Sequence, residues 1–195
     1  MQDAPIILTR LRAETRPYHD AVEQNPFNQA LSVGAVTPEA TAWFLGKLYG
    51  FVQPFEAALQ RHAAGFGPAW ALAQRYRAPL ILEDLARLPG DKAVPPLCPA
   101  MPPLDTRPQL LGALYVLEGS TLGGQVIARQ LAQAGIPLTT YFGARGSQTG
   151  PLWKQFCQLL AAEAEAEAAS PAEQDLIVHS ASLTFQRLSA WIQTH

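Results

Sequence analysis

The stretch Leu110-Leu111-Gly112-Ala113-Leu114-Tyr115-Val116-Leu117-Glu118-Gly119-Ser120-Thr121-Leu122-Gly123-Gly124-Gln125-Val126-Ile127-Ala128-Arg129-Gln130-Leu131 decides how this chain is read. Apolar residues recur at helical spacing on both sides of a glycine cluster, which predicts one long helix. Each interior glycine costs roughly 1 kcal/mol against alanine, so Gly119, Gly123 and Gly124 together cost about 3 kcal/mol. Gly119 and Gly123 lie four apart and share a face; Gly112 lies on nearly the same one. A helix bare of side chains along one stripe admits a flat ligand or another backbone, and it can bend there. Ligand platform and close helix packing both stand as readings of the stripe.

Around this helix the chain reads as a single all-α domain over 1–195. Its 195 residues are 48% apolar, enough for a real core. A net charge of −2 speaks against a nucleic-acid partner. No apolar run approaches the roughly 20 residues of a membrane span, so no membrane partner is expected. The opening Met1-Gln2-Asp3-Ala4-Pro5 has no basic region followed by an apolar core and predicts no signal peptide. Cys98 and Cys157 form neither a disulfide framework nor a zinc spacing. A cytoplasmic location follows as the expectation.

A first helix is predicted over Ile7 to Glu23, with Leu8, Leu11, Thr15, Tyr18 and Val22 as its apolar stripe and Arg12, Arg16, His19 and Glu23 beside it. Pro17 inside it removes a backbone donor and threatens a kink. A short helix covers Pro26 to Ser32. Thr37-Pro38-Glu39 starts the next, with an N-cap, a first-turn proline and a carboxylate at the positive end. That helix should turn Trp43, Phe44, Leu48, Phe51, Phe55 and Leu59 inward. A helix or pair spans about Pro68 to Leu88, and an irregular stretch with seven prolines runs from Pro89 to Pro108. Beyond the glycine helix, a loop from Gly135 to Gly150 leads to a helix from about Pro151 to Ala169. Ser170-Pro171-Ala172-Glu173 reads as a capping box opening the last helix.

Several side chains could carry chemistry. His19, at the border of an apolar and a charged stripe, could ligate iron or zinc with Glu23 one turn on to orient it; it could equally be a half-buried histidine beside a carboxylate. Arg12 and Arg16 could pair with ligand carboxylates or lie on a solvated face. Asp175 and His179 share a face at a spacing found in carboxylate–histidine metal sites, but no Glu-x-x-His accompanies them. Glu163, Glu165 and Glu167 read as solvated surface, and Trp43 and Trp70 as core. Ser120 has no hydrolase setting.

Two segments together resemble the bacterial haem oxygenases. Leu11-Arg12-Ala13-Glu14-Thr15-Arg16-Pro17-Tyr18-His19-Asp20-Ala21-Val22-Glu23 is similar to that family's proximal-histidine helix. Tyr115 to Gln125 is similar to its distal helix, particularly in the enzymes associated with bacterial phytochromes. Their order and the roughly one-hundred-residue gap fit as well. The resemblance implies a haem-oxygenase-like helical bundle. It implies haem as substrate and cofactor, with His19 as axial iron ligand and Glu23 bonded to its free nitrogen or a nearby water. It lays the backbone at Gly119, Gly123 and Gly124 near the distal haem face, with room for dioxygen, and sets Arg12 and Tyr115 on the propionates. The implied reaction opens the ring to biliverdin, the α isomer by analogy with phytochrome-type relatives, with carbon monoxide and ferrous iron released. An external donor (ferredoxin, a flavoprotein reductase or ascorbate) supplies electrons, and a bacterial phytochrome is a conceivable recipient of biliverdin. Mammalian members carry an aspartate directly after the first distal glycine. Here that position is Ser120, so proton delivery must differ, through ordered water and Ser120 or through an arginine that the sequence does not single out. A haem-binding module without turnover and a non-haem iron oxidase on the same scaffold remain as alternatives.

Overall fold

The computed structural model describes residues 5–90, 93–138, 140–166 and 170–194, and among these there is no strand. Helix α1 spans Ile6–Glu23 and stays helical through Pro17. Ile7, Leu11 and Thr15, one turn apart, form its buried stripe. The Thr15 hydroxyl donates to the Leu11 carbonyl at 2.7 Å, so its burial leaves no polar atom stranded. Tyr18, expected in that stripe, is 36% exposed at its edge, beside Gln186 and Ser189.

Helix α2 (Pro26–Ser32) is capped by Asn25, whose side chain accepts from the Asn28 amide at 3.0 Å. Its Phe27 stacks on Phe44 with ring centroids 4.1 Å apart. Helix α3 (Pro38–Arg61) opens at Thr37 as expected and continues through Pro54. Phe44, Phe51, Phe55 and Leu59 are buried, whereas Trp43 is 37% exposed. The sequence expectation for Trp43 fails because the core face of α3 is defined by Phe44 and its neighbours one turn on; Trp43 lies at its edge, with the Lys47 ammonium 6.0 Å from its ring.

The helix expected from Pro68 breaks into short 3₁₀ turns at Pro68–Trp70 and Leu72–Gln74, and α4 occupies only Ala78–Arg87. Ala71 between the turns adopts φ 46°, which a continuous helix cannot contain. The start of α4 is capped from a distance: the Glu56 carboxylate on α3 accepts from the amides of Arg77 (2.5 Å) and Ala78 (3.2 Å). Helix α5 (Arg107–Gln133) begins at a Thr106–Gln109 capping box and runs unbroken through all its glycines. Helix α6 spans Thr149–Ala164 and ends at the Glu165 C-cap, short of the expected Ala169, which itself lies outside the described residues. Helix α7 (Pro171–Gln193) starts at the Ser170–Glu173 capping box.

Helices α1 and α7 lie side by side in the same direction: Arg10 pairs with Asp175 at 2.8 Å, and His19 meets the Phe185 ring at 5.6 Å. Helix α5 crosses α7 at Gly112, where a Cβ would collide with the Ile177 carbonyl and lie 2.8 Å from the Ala181 nitrogen. That glycine serves helix packing. By length and composition α5 could cross a membrane, against the expectation that no run would; more than half of it is buried in the bundle instead. One hydrophobic cluster runs from Ile7 to Ile192 and includes Trp70. The expectation for Glu163 is corrected too, whereas Glu165 is exposed as expected. Glu163 accepts from the Arg107 guanidinium (2.6 Å to Nη2), which stacks on Phe66, and Glu165 accepts from the Ile7 amide at 3.1 Å. Each meets a donor brought from a distant segment, which helical spacing cannot foretell; Glu167 lies outside the described residues.

Candidate active site

A cavity of about 370 Å³ lies between α1, α3, α5 and α7, within the usual range for small-molecule sites. Aromatic and aliphatic side chains, among them Phe44, Leu48, Phe51, Phe185 and Leu188, form much of its wall. The residues singled out in the sequence converge on it: Arg12, Arg16, His19 and Glu23 from α1, and Tyr115, Gly119, Ser120, Gly123 and Gly124 from α5.

His19 is half exposed, with 49% of its side chain accessible. Its Nδ1 lies 3.7 Å from an Asp20 oxygen and its Nε2 3.8 Å from a Glu23 oxygen, both beyond hydrogen-bond length. The imidazole is therefore uncommitted. Together His19, Asp20 and Glu23 are the group of three potential metal ligands found among the described residues. Asp175 pairs with Arg10 instead, and no third ligand joins it and His179 among the described residues. Geometry thus removes the support for a dinuclear centre on α7.

The glycine stripe divides into two functions. Gly119 faces the Trp153 ring, which a Cβ would meet at an ordinary 3.5 Å, and at Gly123 a Cβ would meet nothing within 4 Å. At Gly124 a Cβ would sit 3.0 Å from the Phe142 carbonyl, so this glycine admits the loop backbone closely. That loop is anchored by the fully buried Asp84, which accepts from the Tyr141 amide at 2.8 Å. The Ser120 hydroxyl donates to the Leu117 carbonyl at 2.7 Å. Tyr115 packs at 5.5 Å from Trp153; burial raises its phenol's pKa, with Cys157 adding and the nearby Arg12 charge opposing. Arg16 is held by Asp20 at 2.8 Å, whereas Arg12 has no ion-pair partner among the described residues.

A buried charge network beneath Gly119 escaped the sequence reading. Glu118, 1% exposed, receives Arg145 on both oxygens (2.7 and 2.9 Å) and Arg75 at 2.5 Å. Arg77 donates to the Leu117 carbonyl at 2.6 Å, and both Arg77 and Arg145 line the cavity. Burial alone would raise the Glu118 carboxyl, but the hydrogen bonds and charge of Arg145, with Arg75 and Arg77, hold it below its ordinary pKa. The available signal was Glu118 itself, a carboxylate inside an apolar helical stretch; its partners lie 43 and 27 residues away.

The chemistry of these walls fits the ligand that the resemblance implies. A flat apolar macrocycle fits the aromatic walls and the bare α5 backbone, a metal at its centre fits a free imidazole, and acidic substituents fit the exposed Arg12 and Arg16. Comparison agrees: the haem oxygenase family model matches residues 6–194. A haem oxygenase of Xanthomonas campestris pv. campestris is 32% identical over 146 residues, covering 72% of this chain and 84% of that protein.

The chain belongs to the haem oxygenase family.

As a haem oxygenase it is an enzyme of haem degradation. Its fold is shared with solved haem oxygenases. That of Leptospira interrogans superposes with a TM-score of 0.75 at 18% identity, over 95% of this chain and 98% of the other. Haem oxygenase 2 of Chlamydomonas reinhardtii, solved without haem, gives 0.77 at 20% identity over 96% of each. Haem oxygenase-1 of Synechocystis sp. PCC6803, solved in complex with haem, gives 0.71 at 18% identity over 95% and 90%.

Proposed function

We propose that residues 1–195 act as one domain that holds haem in this cavity, with an imidazole nitrogen of His19 on the iron, and opens its ring to α-biliverdin, carbon monoxide and ferrous iron. The observation that carries the reading is the convergence of the uncommitted His19 and the bare backbone of Gly119 and Gly123 on one apolar cavity. When bound, haem supplies the iron that activates dioxygen and is itself the molecule oxidised. Glu23 steadies the imidazole, directly or through water, across the 3.8 Å gap. Arg12, with Tyr115 beside it, takes the propionates and fixes how the ring is turned in its plane. Gly119 and Gly123 keep side chains off the face where dioxygen enters, whereas Gly124, expected there too, admits the Phe142 backbone; the apolar walls limit the water that could divert the reaction. The likeness of Tyr115 to Gln125 to the distal helix of phytochrome-associated enzymes supports the α isomer and a bacterial phytochrome as its recipient. Ferredoxin, a flavoprotein reductase or ascorbate supplies the electrons, in the cytoplasm.

The test is a hemin titration followed by ascorbate in air. A one-to-one Soret band that decays into the broad absorption of biliverdin is expected. A band that persists with ascorbate and also with a ferredoxin–reductase system would show a binding module without turnover. His19→Ala should lose catalysis or greatly weaken it, read as the rate of Soret decay; full turnover in this variant would remove His19 as the ligand.

A further inference from the structure

The bare face of α5 that admits a flat macrocycle gives it nothing to register against. At Gly123 a Cβ would meet nothing within 4 Å, so a ring lying there could turn or slide in its own plane. Registration has to come from side chains at the rim. Arg12 and Tyr115 both line the cavity, and the Arg12 charge is felt at the Tyr115 phenol, so the two stand at one end of it. Arg12 is exposed and sits on a long side chain with many rotamers. It can follow a carboxylate through several positions, so it does not by itself fix how the ring is turned.

Trp153 on α6 is placed to do so. Its indole lines the same cavity. The outer edge of its six-membered ring, Cη2 and Cζ3, lies 3.5 and 3.6 Å from where a Gly119 Cβ would be. The ring is clamped from two sides. It is tilted against Tyr115 with centroids 5.5 Å apart, and it stacks on Phe156 at 5.6 Å. Phe156 is fully buried, meets Trp70 at 6.0 Å and lies 5.6 Å from the Arg75 guanidinium, which Glu118 holds in turn. Swinging the indole away would forfeit its contacts with both neighbouring rings. A macrocycle on Gly119 that turns or slides toward α6 therefore meets a rigid wall.

We propose that Trp153 is a specificity-determining residue of the haem cavity: its indole edge stops the macrocycle from turning in its plane and so decides which meso carbon is opened. The proposal rests on haem occupying this cavity. Arg12 and Tyr115 hold the acidic end of the ring, and Trp153 excludes seatings that those two would tolerate. The indole makes and breaks no bond. Choice among meso carbons is a difference between competing transition states, and steric exclusion supplies it without a polar group.

The experiment compares the haem complexes of wild type, Trp153→Phe and Trp153→Ala. Chromatography separates the biliverdin isomers after turnover. The haem-methyl proton resonances of the ferric cyanide complex, which needs no turnover, report how the ring sits. Whichever isomer predominates in wild type, the others should rise about tenfold or more relative to it in Trp153→Ala, and a second set of methyl resonances should appear. Trp153→Phe should fall between. A wild-type isomer ratio and a single set of methyl resonances in Trp153→Ala overturn the proposal, even where thermal stability or haem affinity falls, the mark of packing alone. If neither variant folds, the wild-type cyanide complex decides: a nuclear Overhauser effect between the Trp153 ring protons and a substituent on the haem rim is expected, and its absence rejects the wall. A normal Soret band with unchanged isomers sinks Trp153 alone, whereas a wild type that forms no Soret band sinks the haem reading itself.

Discussion

At the scale of single residues, the glycines of α5 separate two physical demands that look alike in sequence. Gly112 is where another backbone passes, and Gly123 opens on empty space. Gly112→Ala should therefore destabilise the protein by about 1–3 kcal/mol in urea unfolding, because overpacking against rigid backbone outweighs the gain in helix preference. Gly123→Ala should do the opposite in the haem-free protein and add about 1 kcal/mol, while its methyl group intrudes on the haem face and slows biliverdin formation. Turnover equal to wild type in Gly123→Ala would mean that haem does not lie against that residue. The cluster was visible in the sequence; its division was not, because a missing side chain carries no mark of what comes to fill the space.

At the scale of elements, α1 and α5 kept the extents expected of them, since their apolar spacing is local. Asn25, Thr37 and Ser170 cap through bonds to residues three positions on. Helix α4 was less legible because its N-terminus is held by Glu56, 21 residues earlier. Glu56→Ala should leave the amides of Arg77 and Ala78 buried without an acceptor and cost about 1–3 kcal/mol. Glu56→Gln keeps one acceptor oxygen and should stay close to wild type in the same urea titration. Equal losses in the two variants would show that charge, rather than capping, is what Glu56 contributes.

For the whole molecule, the buried network makes stability depend on pH. The Glu118 carboxyl is held below its ordinary pKa in the folded state. Its contribution is therefore present above the unfolded value, about 4.3, and is lost as pH falls through the lower folded value. Glu56 has the opposite sign. Burial raises its pKa despite the amides of Arg77 and Ala78, so its cost is full above the folded value and fades as pH falls toward the unfolded one. The urea midpoint should accordingly drop steeply below about pH 4. In Glu118→Gln the protein should be weaker at neutral pH, with a shallower acid limb. An acid limb of unchanged slope would show that Glu118 is not among its causes.

The sequence by itself determined most of the helices, α4 excepted, together with the family and the two segments that carry His19 and the glycines. All of these rest on periodicity, capping and motif, whose signals lie within a few turns of chain. The tertiary structure decided what faces the cavity from elsewhere. It placed Arg77 and Arg145 in its wall, put Glu118 between Arg75 and Arg145, turned Trp43 out, and gave Glu163 and Glu165 distant donors. Buried charges are tolerated only where opposite charges and hydrogen bonds meet them. Those partners come from loops and helices far apart in the chain, so their pairing exists only once the helices have packed.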